Sequence, residues 1–143
     1  MAMIEMKNVG KWYGDFHVLA ECTTQVEKGE VIVVCGPSGS GKSTLIKCVN
    51  GLEPFQAGEI LVNGTSVGAA GTNLSKLRAR VGMVFQHFEL FPHMTITDNL
   101  CIGQTKVLGR GQEEARAKAA KLLDRVGLIA HKDKFPGQLS GGQ

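Results

Sequence analysis

Long apolar runs are absent from this sequence. The longest run of purely hydrophobic residues is the five residues 31–35, whereas a membrane-spanning helix needs about 20. Residues 1–7 hold no basic stretch followed by an apolar core, so we expect no secretory signal peptide. The chain itself is therefore not expected to span a bilayer.

The cysteines, histidines and charges also lack the patterns that mark special classes of protein. Cys22, Cys35, Cys48 and Cys101 include no C-x-x-C pair, and the four histidines show no metal-ligand spacing. We interpret the thiols as reduced, in a cytosolic protein without a disulfide framework or a zinc site. The net charge of +3 is small and scattered, so no nucleic-acid partner is expected.

The sequence does contain a glycine-rich segment, residues 36–44, which fits G-x-x-x-x-G-K-[ST] without a gap. The β-branched apolar run at 30–35 predicts a buried strand, and residues 44–52 predict a helix. Strand, glycine loop and helix in this order indicate a phosphate-binding loop. The residues expected to contact phosphate are Gly36, Pro37, Ser38, Gly39, Ser40, Gly41, Lys42, Ser43 and Thr44.

The residue types in this loop suit the triphosphate of a nucleotide. Glycines let the backbone turn tightly and aim its N–H groups at an anion, and the following helix adds N–H groups and the positive end of its dipole. Lys42 would place its charge on the β- and γ-phosphates, while the Ser43 hydroxyl would ligate Mg²⁺. The alternative is a glycine-rich turn with a chance lysine, which the flanking strand and helix disfavour.

Predicted elements divide the chain into two parts. Residues 1–86 contain the predicted strands and the phosphate loop, and residues 87–143 are mainly helical. Strands and helices alternate around the apolar runs at 30–35 and 81–85. This alternation predicts an α/β fold with a parallel sheet at its core.

Two local signals predict where a turn and a helix lie. Asn63-Gly64 follows a predicted strand and favours a two-residue hairpin turn. Thr95, with Asp98 three residues later, is typical of the start of a helix.

Three further features make the interpretation specific. Tyr13 lies upstream of the loop, where its ring could stack on a nucleotide base or simply cover a sheet edge. Gln86 follows the run at 81–85, and Leu-Ser-Gly-Gly-Gln occupies residues 139–143. With these motifs, residues 4–143 resemble the ATP-binding subunits of ATP-binding-cassette (ABC) transporters. Tyr13 matches the family's adenine-stacking aromatic, Gln86 its Q-loop, and 139–143 its signature motif.

The resemblance implies a P-loop NTPase fold with a RecA-like core, an antiparallel β subdomain and a helical subdomain. It implies ATP and Mg²⁺ as cofactors, with Ser43 and Gln86 on the metal and Gln86 also sensing the attacking water. In the family, the signature motif contacts ATP held by the phosphate loop of a second, head-to-tail subunit. The residues that would do so here are Ser140, Gly141, Gly142 and Gln143.

Residues 8–14, 84–93 and 135–139 further resemble the importers of polar amino acids. The resemblance implies that ATP binding and hydrolysis drive the import of glutamate or aspartate. Implied partners are a second ATPase subunit, transmembrane permease subunits and, indirectly, a solute-binding protein. The chain would then lie peripherally on the cytoplasmic face of the inner membrane.

A dense apolar cluster follows Gln86 and admits two interpretations. It is either core of the helical part or a groove for a short helix of the permease. Its members are Phe88, Leu90, Phe91, Pro92 and Met94.

The sequence departs from the family in lacking several catalytic features. No apolar run ends in Asp-Glu, and no switch histidine follows, so the second Mg²⁺ anchor, the water-polarising carboxylate and the γ-phosphate sensor are missing. We expect a truncated chain that lacks the C-terminal part of its core, binds ATP weakly at best and does not hydrolyse it. The alternatives are a nucleotide-binding fragment without turnover and a non-transport ABC ATPase. DNA-repair members are disfavoured because the interval from Lys42 to Ser140 is too short for their long insertion.

Overall fold

The computed structural model describes all residues, Met1–Gln143, and contains two compact units, Met1–Gly82 and Met83–Gln143. The elements of the first unit are β1 (Ala2–Tyr13), β2 (Phe16–Glu27), α1 (Lys42–Val49), β3 (Ala57–Val62), β4 (Thr65–Ser66) and α2 (Leu74–Arg78). Those of the second unit are α3 (Ile96–Lys106), α4 (Gln112–Arg125) and two 3₁₀ turns, Ile129–His131 and Pro136–Gln138. No helix combines the length and apolar character that crossing a membrane requires.

One antiparallel sheet organises the first unit, with its strands in the order β2-β1-β3-β4. The predicted Asn63-Gly64 turn is confirmed, since both residues have positive φ (48° and 77°) and Val62 pairs with Thr65 across it. Positive φ at both central positions gives a turn whose twist matches that of the strands. Local residue chemistry therefore decided this hairpin.

The core of the first unit lies between one face of the sheet and α1. Met6 on β1 and Ile60 on β3 are paired across the two strands, and both point to the same side of the sheet as Leu19 on β2. Cys48 of α1 is fully buried in the same cluster, together with Val9. This packing holds the C-terminal part of α1, where Cys48 lies, against the sheet.

Residues 30–35 and 81–85 form no strand, so the prediction of two buried strands is wrong for this structure. Val31 is 86% exposed and Val84 is 96% exposed. A parallel core strand becomes buried only when other strands pair with its edges and helices cover its faces. No segment of this chain pairs with either run, and every strand pair is antiparallel, so the predicted parallel core does not form.

Helices α3 and α4 build the second unit. The predicted helix start is confirmed, because the Thr95 hydroxyl accepts a hydrogen bond from the Asp98 N–H at 3.2 Å. Cys101 of α3 packs against Ala115 and Ala119 of α4, all three buried. Small residues at this contact let the two helix backbones approach closely.

Candidate functional site

The glycine-rich loop leads into α1 through two residues in the left-handed region. Gly39 has φ 79° and Gly41 has φ 91°, and Gly41 is the N-cap of α1. The Ser40 N–H donates to the Pro37 carbonyl at 3.2 Å, which closes a turn within the loop. A Cβ on Gly41 would lie 3.1 Å from the side chains of Val18 and Leu19. The loop therefore passes close to β2 and needs glycine there.

Lys42 folds over this loop and carries a charge without a charged partner. Its Nζ donates to the carbonyl oxygens of Gly36 and Pro37, each at 2.7 Å, and to the Ser40 hydroxyl at 3.3 Å. All three acceptors are neutral, and Lys42 makes no ion pair. An ammonium held in this way is available to an anion bound at the loop.

The start of α1 also fits a polyphosphate. Its first turn has no acidic residue, and the first N–H groups of a helix have no acceptor within the helix. Ser43 is exposed in that turn and offers one hydroxyl oxygen. No group of three or more His, Cys, Asp or Glu residues could hold a metal by itself. A Mg²⁺ ion at Ser43 would therefore take most of its ligands from phosphate oxygens and water.

Tyr13 ends β1 beside α1 and is 46% exposed. Burial raises the pKa of its phenol above the ordinary 10.0. A hydrogen bond with Thr44 acts in the opposite direction, and one with Glu53 raises the pKa further. The structure thus brings Tyr13 next to Thr44 of the predicted phosphate loop. Tyr13 also lies over the ammonium of Lys11, at 4.2 Å from the ring centroid.

Because Tyr13 is the sole tyrosine, its titration can be followed by ultraviolet absorbance of the phenolate. We expect a pKa above 10.0 in the folded chain, and a lower one in Glu53→Gln, since Glu53 is among the groups that raise it. As the folded-state value exceeds the unfolded one, this group's contribution to stability is complete below about pH 10 and is lost as pH rises through the folded-state pKa. Glu5→Gln, which removes a β1 carboxylate, is the control and should leave the titration unchanged. Equal shifts in both variants would contradict the assignment.

The signature residues form a compact loop in the second unit. The Gln143 amide oxygen accepts from the Ser140 N–H at 2.9 Å, and the Gln143 nitrogen lies 3.3 Å from His131 Nε2. A Cβ on Gly141 would lie 3.6 Å from the ring of Phe88, two residues after the exposed Gln86. This unit therefore joins the signature loop to the segment that follows the predicted Q-loop glutamine.

Residues 19–143 match the protein family described as ABC transporter, which is most of the chain. The chain belongs to the ABC transporter family. It is 68% identical over 141 residues to the glutamate/aspartate import ATP-binding protein GltL of Escherichia coli (strain K12), covering 99% of this chain and 58% of that protein. It is 49% identical over 141 residues to the glutamine transport ATP-binding protein GlnQ of Bacillus subtilis (strain 168), with the same coverage of 99% and 58%.

Solved ABC cassettes share the fold. A dimeric bacterial ABC transporter cassette has a TM-score of 0.89 and 33% identity, covering 99% of this chain and 65% of that one. A dimer in a post-hydrolysis state bound to ADP and Pi has a TM-score of 0.89, 31% identity and the same coverage of 99% and 65%. The predicted P-loop NTPase fold class is thus confirmed. This ABC chain spans 58% of the length of both import proteins.

Sequence reasoning missed two residues beside Tyr13, namely Lys11 and Glu53. Alternating residues 4–9 predict a first strand that stops before Lys11, whereas β1 continues to Tyr13. A longer predicted strand would have put Lys11 and Tyr13 on one face, because alternate residues share a face. Nothing in the sequence pointed to Glu53, which the turn after α1 brings to Lys11, 3.7 Å away.

Proposed function

We propose that this chain binds Mg-ATP as the nucleotide-binding part of an ABC importer of polar amino acids, with glutamate and aspartate as the solutes. The observation that carries the proposal is the position of the Lys42 ammonium, which lies over the glycine-rich loop with only neutral acceptors around it. The names of the import proteins of E. coli and B. subtilis support the solute class.

Each predicted site residue takes a role in this proposal. The N–H groups of residues 36–44 and the charge of Lys42 hold the phosphates. Ser43 and Gln86 each coordinate the Mg²⁺ ion, and Gln86 also senses the attacking water. Tyr13 stacks on the adenine base. The signature residues that would contact the nucleotide of a second subunit are Ser140, Gly141, Gly142 and Gln143.

The chain acts as one subunit of a head-to-tail pair on the cytoplasmic face of the membrane, next to permease subunits that receive solute from a binding protein. By itself it binds ATP without turning it over, because no apolar run in its sequence ends in a Mg²⁺-binding Asp followed by a catalytic Glu. The test is titration with a fluorescent ATP analogue in the presence of Mg²⁺, together with a phosphate-release assay. Saturable binding with no release is expected, and release that depends on Lys42 would refute the lack of turnover.

We also propose that the apolar cluster after Gln86 docks a short permease helix. Phe88 is 72% exposed and Phe91 is 49% exposed. The Phe91 N–H donates to the Asn99 side chain at 2.8 Å, which ties this segment to α3. An exposed apolar surface on a held segment suits the apolar face of a helix.

Phe91→Asp should abolish co-purification with the permease subunits, because a charge in an apolar contact loses its hydration without gaining a partner. Binding of the fluorescent ATP analogue should persist. Phe16→Asp, at an exposed phenylalanine of β2, is the matched control and should co-purify normally. Unchanged co-purification of the Phe91 variant would rule out the docking surface.

A further inference from the structure

Lys11 lies beneath the ring of Tyr13. Both residues are on β1 with one residue between them, so their side chains share a face of the sheet. The Lys11 ammonium is 4.2 Å from the Tyr13 ring centroid, and Lys11 is only 2% exposed. Tyr13 itself is 46% exposed. One face of the ring therefore covers a buried cation, and the rest of the ring is open to solvent.

Glu53, in the turn after α1, is the third member of this group with Lys11 and Tyr13. Its carboxylate lies 3.7 Å from the Lys11 ammonium and beside the Tyr13 hydroxyl. The Glu53 N–H donates to the Lys47 carbonyl at 3.2 Å, which fixes Glu53 to the end of α1. A buried ammonium is costly unless it is paired, and here a carboxylate and a ring face stabilise it. The trio links the end of β1 to the helix of the phosphate loop.

We propose that Lys11 and Glu53 are positioning residues that hold the Tyr13 ring at a set place relative to the phosphate loop, so that its open face receives the base of the nucleotide. The inference rests on the proposed role of Tyr13 in ATP binding. The cation occupies one face of the ring and so leaves the other as the only face for stacking. The hydrogen bond of the Tyr13 hydroxyl with Thr44 holds the ring beside the start of α1.

Two ligands separate base recognition from phosphate binding, namely ATP and inorganic tripolyphosphate, which has no base. Each is titrated as a competitor of the fluorescent ATP analogue, with the whole chain and Mg²⁺. Lys11→Met and Glu53→Gln should each weaken ATP binding about three- to fivefold, the size of one cation–π contact. Affinity for tripolyphosphate should stay unchanged. Lys11→Arg, which keeps a cation that stacks on aromatic rings, should restore ATP affinity.

Lys7→Met is the matched control, since Lys7 is an exposed lysine of β1 that pairs with Glu5 at 3.2 Å and lies away from Tyr13. It should bind both ligands as the parent chain does. If Lys11 and Glu53 formed only a structural ion pair, the variants would lose affinity for ATP and tripolyphosphate together, or for neither. Either result overturns the inference. If Lys11→Met does not fold, Glu53→Gln carries the test.

The controls also separate this inference from the proposed function. If the parent chain binds neither ATP nor tripolyphosphate, the proposed nucleotide site is wrong. If the parent chain binds both and Tyr13→Ala binds ATP equally well, the ring does not stack on the base. In that case the positioning role fails while the phosphate loop stands.

Discussion

Lys42→Ala should lower the affinity for Mg-ATP at least tenfold, the loss expected when charge-assisted hydrogen bonds worth about 1.5–3 kcal/mol are removed. In the chain the ammonium contacts only the carbonyls of Gly36 and Pro37 and the hydroxyl of Ser40. Bound phosphate would be its first anionic partner. Because the loop is exposed, alanine should leave the fold intact, and fluorescence titration with the ATP analogue measures the change directly.

Lys47→Ala provides the matched control for Lys42→Ala. Lys47 lies in the last turn of α1, so its removal subtracts the same charge from the same helix at the end away from the loop. We expect it to bind Mg-ATP as the parent chain does. Equal affinities in all three proteins would mean that the nucleotide does not contact Lys42.

Gly58→Ala should destabilise the first unit by about 3 kcal/mol, a cost typical of backbone strain combined with overpacking. Gly58 is the second residue of β3 and has φ 80°, and a Cβ there would overlap the backbone oxygens of Lys7 and Asn8 on β1. Those atoms belong to the backbone of the central strand β1, so they cannot move aside as the end of a flexible side chain can. Urea unfolding monitored by circular dichroism gives the free energy of unfolding.

Gly64→Ala is the control for Gly58→Ala, because it places alanine at a positive φ without steric overlap. Gly64 has nearly the same φ, 77°, but a Cβ would meet nothing within 4 Å. We expect the free energy of unfolding of this variant to fall by only about 1–2 kcal/mol, the cost of placing an L-residue in the left-handed region. A loss at Gly58 no larger than the loss at Gly64 would show that the two strands separate easily at that point.

Short-range residue chemistry explains which predictions the structure confirmed. The Asn63-Gly64 turn and the Thr95 cap depend on groups within a few residues of each other, so neighbouring sequence suffices to predict them. The helix after the glycine loop is confirmed for the same reason, although it begins at Lys42 and ends at Val49. The spacing of the motifs along the chain likewise sufficed for the family.

The sequence by itself determined the glycine-rich loop before α1, the hairpin, the helix start and membership of the ABC family, because each depends on residue types at short or fixed spacings. Only the tertiary structure decided that residues 30–35 lie exposed and unpaired, since the burial of a strand depends on partners that its own residues do not specify. Tertiary packing also brought Lys11, Tyr13 and Glu53 together, because their contacts join the end of a strand to the turn after a helix.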